Sequence, residues 1–302
     1  MDIWEEIKDS FRNGTILAKL IYVNLAVFLV VKLITVMFFL FAGDRTGGAV
    51  LLPWIAVPAD LGTLITRPWT LLTYMFLHEA FFHILFNLIA LYLFGRIFLR
   101  FLTEKQFLNV YLLGGFAGAA LFILSFNVFP VFQGGTQSIA LGASAAVMAI
   151  IFAVSFYIPD HEVYIPFLKN VKLKYIALIF VVLDVIQIPT SNSGGHIAHL
   201  GGALFGFLYI SRFKQGKDIS RGFSRYMDNM VSWFKFARKS RSHLKVTHKK
   251  EKAREETDVD YNKRRAEEQK EVDRILDKIA NSGYKSLTQR EKELLFKMSD
   301  KN

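Results

Sequence analysis

Residues 196–206 read His196-Ile197-Ala198-His199-Leu200-Gly201-Gly202-Ala203-Leu204-Phe205-Gly206, and the fold follows from how this stretch can be housed. Apart from its two imidazoles the segment is apolar. Gly202 and Gly206 stand four residues apart, one helical turn, and form the G-x-x-x-G stripe on which a second helix approaches closely inside a bilayer. His199 lies about one turn before Gly202 on nearly the same face, so it points toward whatever packs there. A titratable group at membrane depth is costly, which makes it a functional candidate weighed against a packing role.

A helix needs about 20 apolar residues to cross the hydrocarbon layer. Working outward from residue 196, six stretches come close: 16–42, 78–99, 104–126, 140–158, 172–188 and 196–212. The fifth and sixth are short, as expected of helices buried in a bundle where a thinned membrane or a wet cavity reaches them. Lys8, Arg12, Arg96, Arg100, Lys105, Lys169, Lys172 and Lys174 then fall on one side, with only Arg45 and Arg67 on the other. Under the positive-inside rule this predicts six spans with both ends inside. The expectation is an integral protein of a bacterial cytoplasmic membrane with both termini cytoplasmic. The start, with Glu5, Glu6 and Asp9, lacks the basic opening and cleavage site of a signal peptide, so the first span is expected to be retained.

The chain of 302 residues is 52% hydrophobic, with 29 Phe, yet carries a net charge of +11. Those features separate along the sequence, because most of the positive charge lies in the last ninety or so residues. Three regions result: 1–213 as the membrane domain, 214–258 as a basic amphipathic linker, and 259–302 as a small cytoplasmic helical hairpin. A basic tail beside a membrane core reports attraction to anionic lipid, so membrane lipids are expected partners and nucleic acid is not. In the linker, Phe223, Tyr226, Met227, Met230, Trp233 and Phe234 suit a helix lying on the inner leaflet. In the hairpin, Val272, Ile275, Leu276 and Ile279 recur at helical spacing and Asn281-Ser282-Gly283 supplies a stop. Thr288 with Glu291 reads as a capping box before Leu294, Leu295 and Phe296. The first loop, 43–68, holds Leu51, Leu52, Trp54, Ile55 and Val57 and is too apolar to float free, so it is expected to lie partly helical in the interface. Cysteine is absent, which excludes disulfides, thiolate catalysis and cysteine metal sites.

The polar residues at membrane depth are few. His83 and Asn87, four apart, project from one helical face and present donors to one point, although interhelical hydrogen bonding is the alternative reading. Ser144, in Gly142-Ala143-Ser144-Ala145-Ala146, follows a polar glycine-rich loop and falls in the first turn of the fourth span. Unpaired N–H groups and the positive dipole end there suit an oxyanion beside a nucleophile, while a cap or helix contact is the alternative. A serine at the end of one helix and a histidine on a tightly packed neighbour make a nucleophile and base.

These residues resemble the rhomboid family of intramembrane serine proteases over about residues 10–213. Gly142 and Ser144 match its G-x-S-G. Ala198, His199, Gly202 and Gly206 match its A-H-x-x-G-x-x-x-G, and His83 and Asn87 match its H-x-x-x-N. The resemblance implies a six-transmembrane-helix rhomboid-like bundle, and with the tail read above the expected fold is an all-α membrane protein with a cytoplasmic C-terminal helical tail. It implies catalysis by Ser144 and His199, oxyanion donors at His83 and Asn87, helix packing at Gly142, Gly202 and Gly206, and substrates that are transmembrane segments with a small residue before the cut. It calls for no cofactor and no metal. Three departures stand out: Ala145 replaces the glycine after the serine, Met148 replaces a frequent tyrosine, and Trp69-Thr70 with Arg67 upstream replaces a Trp-Arg pair.

Rival chemistries fit less well. His78-Glu79-Ala80-Phe81-Phe82-His83 has one residue too many for a zinc H-E-x-x-H, and five residues turn a helix by about 500°, so the two rings are expected to diverge. Asp184 lacks a second carboxylate for an aspartyl dyad. G-x-S-x-G would need Gly at 146. His196 and His199 could hold a metal but show no third ligand nearby. No Asp or Glu is evident to orient His199, so a Ser-His dyad is expected. The alternative function is a non-catalytic adaptor that binds transmembrane clients through the same bundle.

Overall fold

A computed structural model describes residues 3–43, 50–133, 138–165, 169–238, 271, 273–279, 283 and 286–292. The chain divides into two compact units, Met1–Arg238 and Lys239–Asn302.

The first unit is built from helices whose limits follow the hydropathy. After α1 (Ile3–Asn13), α2 runs Ile16–Ala42; it begins where the Thr15 hydroxyl accepts the Ala18 N–H and ends at Gly43 in the left-handed region, φ 66°. The loop that follows carries α3 (Leu52–Ile55), α4 (Leu61–Thr66) and α5 (Thr70–Thr73), so the apolar loop is indeed partly helical. Then come α6 (Phe81–Phe101), α7 (Glu104–Val128), α8 (Ser144–Tyr157), α9 (Leu173–Gln187), α10 (Ser193–Phe213) and α11 (Arg221–Arg238). The Thr103 hydroxyl and the Gln106 side chain form a reciprocal capping box at the start of α7. All six apolar stretches are helical. Among the described residues, α2, α6 and α7 are long and apolar enough to cross a membrane.

Helix α8 is the axis of the unit, with every residue from Ala145 to Ser155 buried. Helices α7 and α10 close on it through glycines. A Cβ at Gly118 would lie 2.5 Å from the Ala145 methyl and 2.7 Å from the Ala198 carbonyl oxygen, and one at Gly202 or Gly206 would fall on the carbonyl of Ala145 or Ala149. Small residues on three facing helices allow backbone-to-backbone approach. Outward faces of α2, α6 and α9 stay apolar and exposed, as at Leu33, Phe86 and Ile186.

Two findings differ from the sequence reading. The chain is not wholly α: β1 (Val57–Pro58) pairs antiparallel with β2 (Ile139–Ala140), and β3 (Glu162–Ile165) with β4 (Lys169–Lys172). Helical periodicity and span counting are blind to such short pairings. Helix α11, read as part of a linker, packs on α7: the Asn109 amide donates to the hydroxyls of Ser220 (3.0 Å) and Ser224 (2.6 Å), and Lys105 meets Asp228 at 2.5 Å. Its Phe223 ring rests edge-on against Phe116, while Tyr226 and Trp233 remain exposed.

In the second unit, residues 273–279 are helical and the Gly283 N–H donates to the Ile279 carbonyl, with Gly283 at φ 74°. The Thr288 N–H donates to Glu291 Oε2 (2.7 Å) and the Glu291 N–H returns to the Thr288 hydroxyl (3.4 Å), forming the expected capping box. Val272, Asn281, Ser282, Leu294, Leu295 and Phe296 lie outside the described residues.

Candidate active site

Ser144 is the first residue of α8, and two features of the preceding loop aim it. Gly142 has φ 121°, a conformation closed to side chains, and a Cβ there would lie 2.8 Å from His83 Cε1 and 2.9 Å from His83 Nε2. The same point is 3.6 Å from Ser144 Oγ, so the His83 ring and the serine hydroxyl flank one spot that glycine leaves open. The loop is also tied to residues 74–78. The Gly142 N–H donates to the Tyr74 carbonyl (2.9 Å), the Ala143 N–H to His78 Nε2 (3.4 Å), and the Tyr74 hydroxyl to the Gly115 carbonyl (2.5 Å). His78 and Tyr74 are both buried.

Ser144, Asn87 and His199, from three different helices, line one cavity of about 400 Å³. Its remaining walls are mostly apolar, with Phe86, Ala90 and Leu93 from α6, Val147, Met148 and Ile151 from α8, and Phe180 from α9. Met148 therefore lines the same cavity as His199, at the position where the resemblance leads one to expect a tyrosine. The Asn87 amide donates to the His83 carbonyl at 2.8 Å, which uses one of its two protons and leaves the other for a ligand. Gly202 and Gly206 lie on the α8 side of α10, and by letting α10 close on α8 they bring His199 to the cavity.

One carboxylate was missed as a partner. Asp184 Oδ1, on α9, lies 2.9 Å from His199 Nδ1 and 2.7 Å from His196 Nδ1. The expectation that no acid orients His199 is thus corrected: the acid lies 15 residues away on a separate helix, where no spacing rule connects it. Its side chain is 8% exposed. A carboxylate accepting at Nδ1 fixes the neutral imidazole as the Nδ1–H tautomer and turns Nε2 into the acceptor. The statement that His196 and His199 have no third ligand nearby fails for the same reason.

The expected divergence of His78 and His83 also needs correction. Their rings stand 5.0 Å apart, edge to face. The helical rotation used for that expectation does not apply, because α6 begins only at Phe81 and His78 sits in the extended approach to it. His78 instead serves the serine loop through Ala143.

In the first loop Arg67 lies 4.0 Å above the Trp54 ring and its guanidinium donates to the Pro53 carbonyl (2.6 Å), while the Trp69 indole donates to the Trp54 carbonyl (2.8 Å). Arg67 thereby ties this part of the loop to residues 53 and 54.

Comparison with known proteins bears on this geometry. The Rhomboid domain profile matches residues 66–215, and a family of unknown function, DUF6576, matches residues 255–301. RHOMBOID-like protein 12, mitochondrial, of Arabidopsis thaliana is 30% identical over 161 residues, covering 50% of this chain and 48% of the relative. Presenilin-associated rhomboid-like protein A, mitochondrial, of Danio rerio is 31% identical over 150 residues, 48% of this chain and 37% of the relative. The Homo sapiens Presenilin-associated rhomboid-like protein, mitochondrial, is 30% identical over 141 residues, 45% and 35% respectively. The chain spans about half the length, or less, of these relatives. These relatives are named as mitochondrial proteins, which overturns the expectation of a bacterial cytoplasmic membrane with cytoplasmic termini. With the profile match covering both the serine and the histidine helices, the chain belongs to the rhomboid family.

Proposed function

We propose that the chain is an intramembrane serine endopeptidase that cleaves transmembrane segments of other membrane proteins. The observation that carries this reading is the convergence of Ser144, Asn87 and His199, from α8, α6 and α10, on one cavity. Rhomboid proteins are generally intramembrane serine proteases, and this chain keeps both reacting side chains.

The residues divide the chemistry as follows. Asp184 accepts the Nδ1–H of His199, so Nε2 takes the Ser144 proton as Oγ attacks a peptide carbonyl. The developing oxyanion receives the His83 ring N–H, the free Asn87 amide proton and the Ser144 backbone N–H, at the positive end of α8. His199 then protonates the leaving amine, and water cleaves the acyl-enzyme by the same proton route. Asp184 is a positioning residue, and the expected dyad becomes a serine, a histidine and an acid that orients it.

Helix length supports a site below the membrane surface. The 14 residues of α8 rise about 21 Å, short of a hydrocarbon layer of about 30 Å, so Ser144 sits inside the layer while the longer α6 and α7 continue past it. In this reading α2, α6, α7, α8, α9 and α10 are six spans, residues 1–213 the protease domain, and α11 a helix packed on its α7. Substrate spans enter from lipid between α6 and α9, whose exposed faces are apolar and whose Phe86 and Phe180 line the cavity. A stable helix hides its carbonyls, so targets are spans weakened by Gly, Pro or polar residues. Membrane lipids are the other partner, and nucleic acid is not one.

The test uses purified wild type and Ser144→Ala with a reporter transmembrane segment. Cleavage by wild type and none by Ser144→Ala supports the reading. Equal cleavage, or a reporter that binds wild type and is never cut, favours the adaptor.

A further inference from the structure

Asp184, His196 and His199 carry more than an orienting contact. The two histidines, three apart on α10, present their rings on one face with centroids 5.8 Å apart, and α9 brings the carboxylate between them. One ligand atom from each residue lies within 4.8 Å of the other two. Ligands around a tetrahedral zinc, at bonds of about 2.0–2.1 Å, stand roughly 3.4 Å from each other, so displacements of about an ångström would gather all three. A second observation points the same way. Asp184 Oδ2 is buried with no hydrogen-bond partner, although a buried carboxylate normally satisfies both oxygens. The ion-pair partners of Asp184 among the described residues are these two imidazoles, so a buried negative charge stands without a permanent cation.

We infer that Asp184, His196 and His199 form a site for a divalent transition-metal ion of the zinc class, and that a bound ion silences the serine. Two imidazole nitrogens and one carboxylate suit zinc or cobalt and not calcium or magnesium, which require oxygen-rich shells. The ion takes the Nδ1 lone pairs. Each neutral imidazole keeps its single N–H, which moves from Nδ1 to Nε2, so no proton is gained or lost. His199 Nε2 then carries hydrogen where it must accept one, and it cannot relieve Ser144 of its proton. Asp184 exchanges its two Nδ1–H contacts for a metal bond. The binding claim stands on geometry alone, and the silencing rests on the protease reading given above.

The experiment titrates Co²⁺ into the full-length protein in detergent and reads the visible absorption of four-coordinate cobalt, with Zn²⁺ added to displace it. The variants are Ser144→Ala, Asp184→Asn, which preserves side-chain shape, and His196→Ala. One cobalt per chain is expected in wild type and in Ser144→Ala. Binding at least 10–100-fold weaker, the loss that follows even removal of a metal's outer-shell partner, is expected in Asp184→Asn and His196→Ala. Identical titrations of wild type and Asp184→Asn would overturn the site. Zinc should stop reporter cleavage over the concentration range in which it displaces cobalt. A cobalt site in a protein that cuts no reporter would leave the metal site standing and remove the protease reading. Cleavage unaffected by saturating zinc would overturn the silencing.

Discussion

Gly202→Ala adds one methyl group at the closest approach of α10 to α8. An ideal Cβ at 202 would lie 2.7 Å from the Ala145 carbonyl carbon, where ordinary contact is 3.4–4 Å, and closer still to its oxygen. Backbone cannot swing aside as a side chain does, and the oxygen contact is the tighter of the two, so the helices must part by more than an ångström. Overpacking of this kind costs about 1–3 kcal/mol. The larger effect is on chemistry, because the separation acts between the helix of Ser144 and the helix of His199. A misplacement of about 1 Å between reacting groups lowers rates by about 10²-fold. Gly206→Ala makes the same kind of collision with Ala149, one turn farther from Ser144. It should therefore cost similar stability with a smaller loss of rate. The assay pairs thermal unfolding in detergent with the rate of Ser144 labelling by a serine-directed fluorophosphonate. Gly202→Ala with a wild-type labelling rate and an unchanged melting temperature would refute the packing argument.

Further outcomes follow from single contacts. Asp184→Asn should lower kcat for reporter cleavage by about 10²-fold or more with little change in KM, since it disturbs the His199 tautomer and leaves the substrate walls intact. Asn87→Ala should lower cleavage by about 10²–10³-fold, because one oxyanion donor is gone, and should leave thermal stability near wild type. Arg67→Ala removes the stack on Trp54 and the bond to the Pro53 carbonyl, and should destabilise the first loop by about 1–2 kcal/mol, read as faster hydrogen exchange over residues 52–73. In the second unit, Lys278 and then the Thr288 N–H and hydroxyl hold the Glu291 carboxyl down to about 2. A carboxylate depressed in the fold stabilises fully above its ordinary value of 4.5 and loses that contribution as pH falls toward 2. Protection of residues 288–292, corrected for intrinsic exchange, should accordingly be flat above pH 4.5 and decline below it.

The helices of the bundle were legible because hydropathy changes sharply at their ends. Thr15, Thr103 and Gly43 mark starts and a stop by chemistry that a sequence displays openly, and the capping box at Thr288 and Glu291 is equally local. The serine, the cavity histidine and the G-x-x-x-G stripe were legible from polar groups and glycines in apolar runs. What escaped depends on distant parts of the chain. Asp184 meets His199 across two helices joined by an irregular turn, and nothing in 3.6-residue periodicity pairs positions 15 apart. His78 and His83 come together because a helix begins between them, so an error of three residues in one boundary reversed the inferred ring geometry. The β3–β4 hairpin joins residues whose alternation is too short to separate from a loop. Compartment was the least legible property, since loop charge reports which side of a membrane a segment faces and not which membrane it is.

In the proposed mechanism the hydroxyl at 144 is activated by the imidazole at 199. The most direct measurement of this activation is the site and stoichiometry of fluorophosphonate labelling by intact-mass and peptide mass spectrometry, on wild type and His199→Ala in the same detergent. One label per chain, mapped to Ser144 and lost in His199→Ala, is the predicted result. Labelling at another residue, or labelling of Ser144 at an equal rate without His199, would contradict the account.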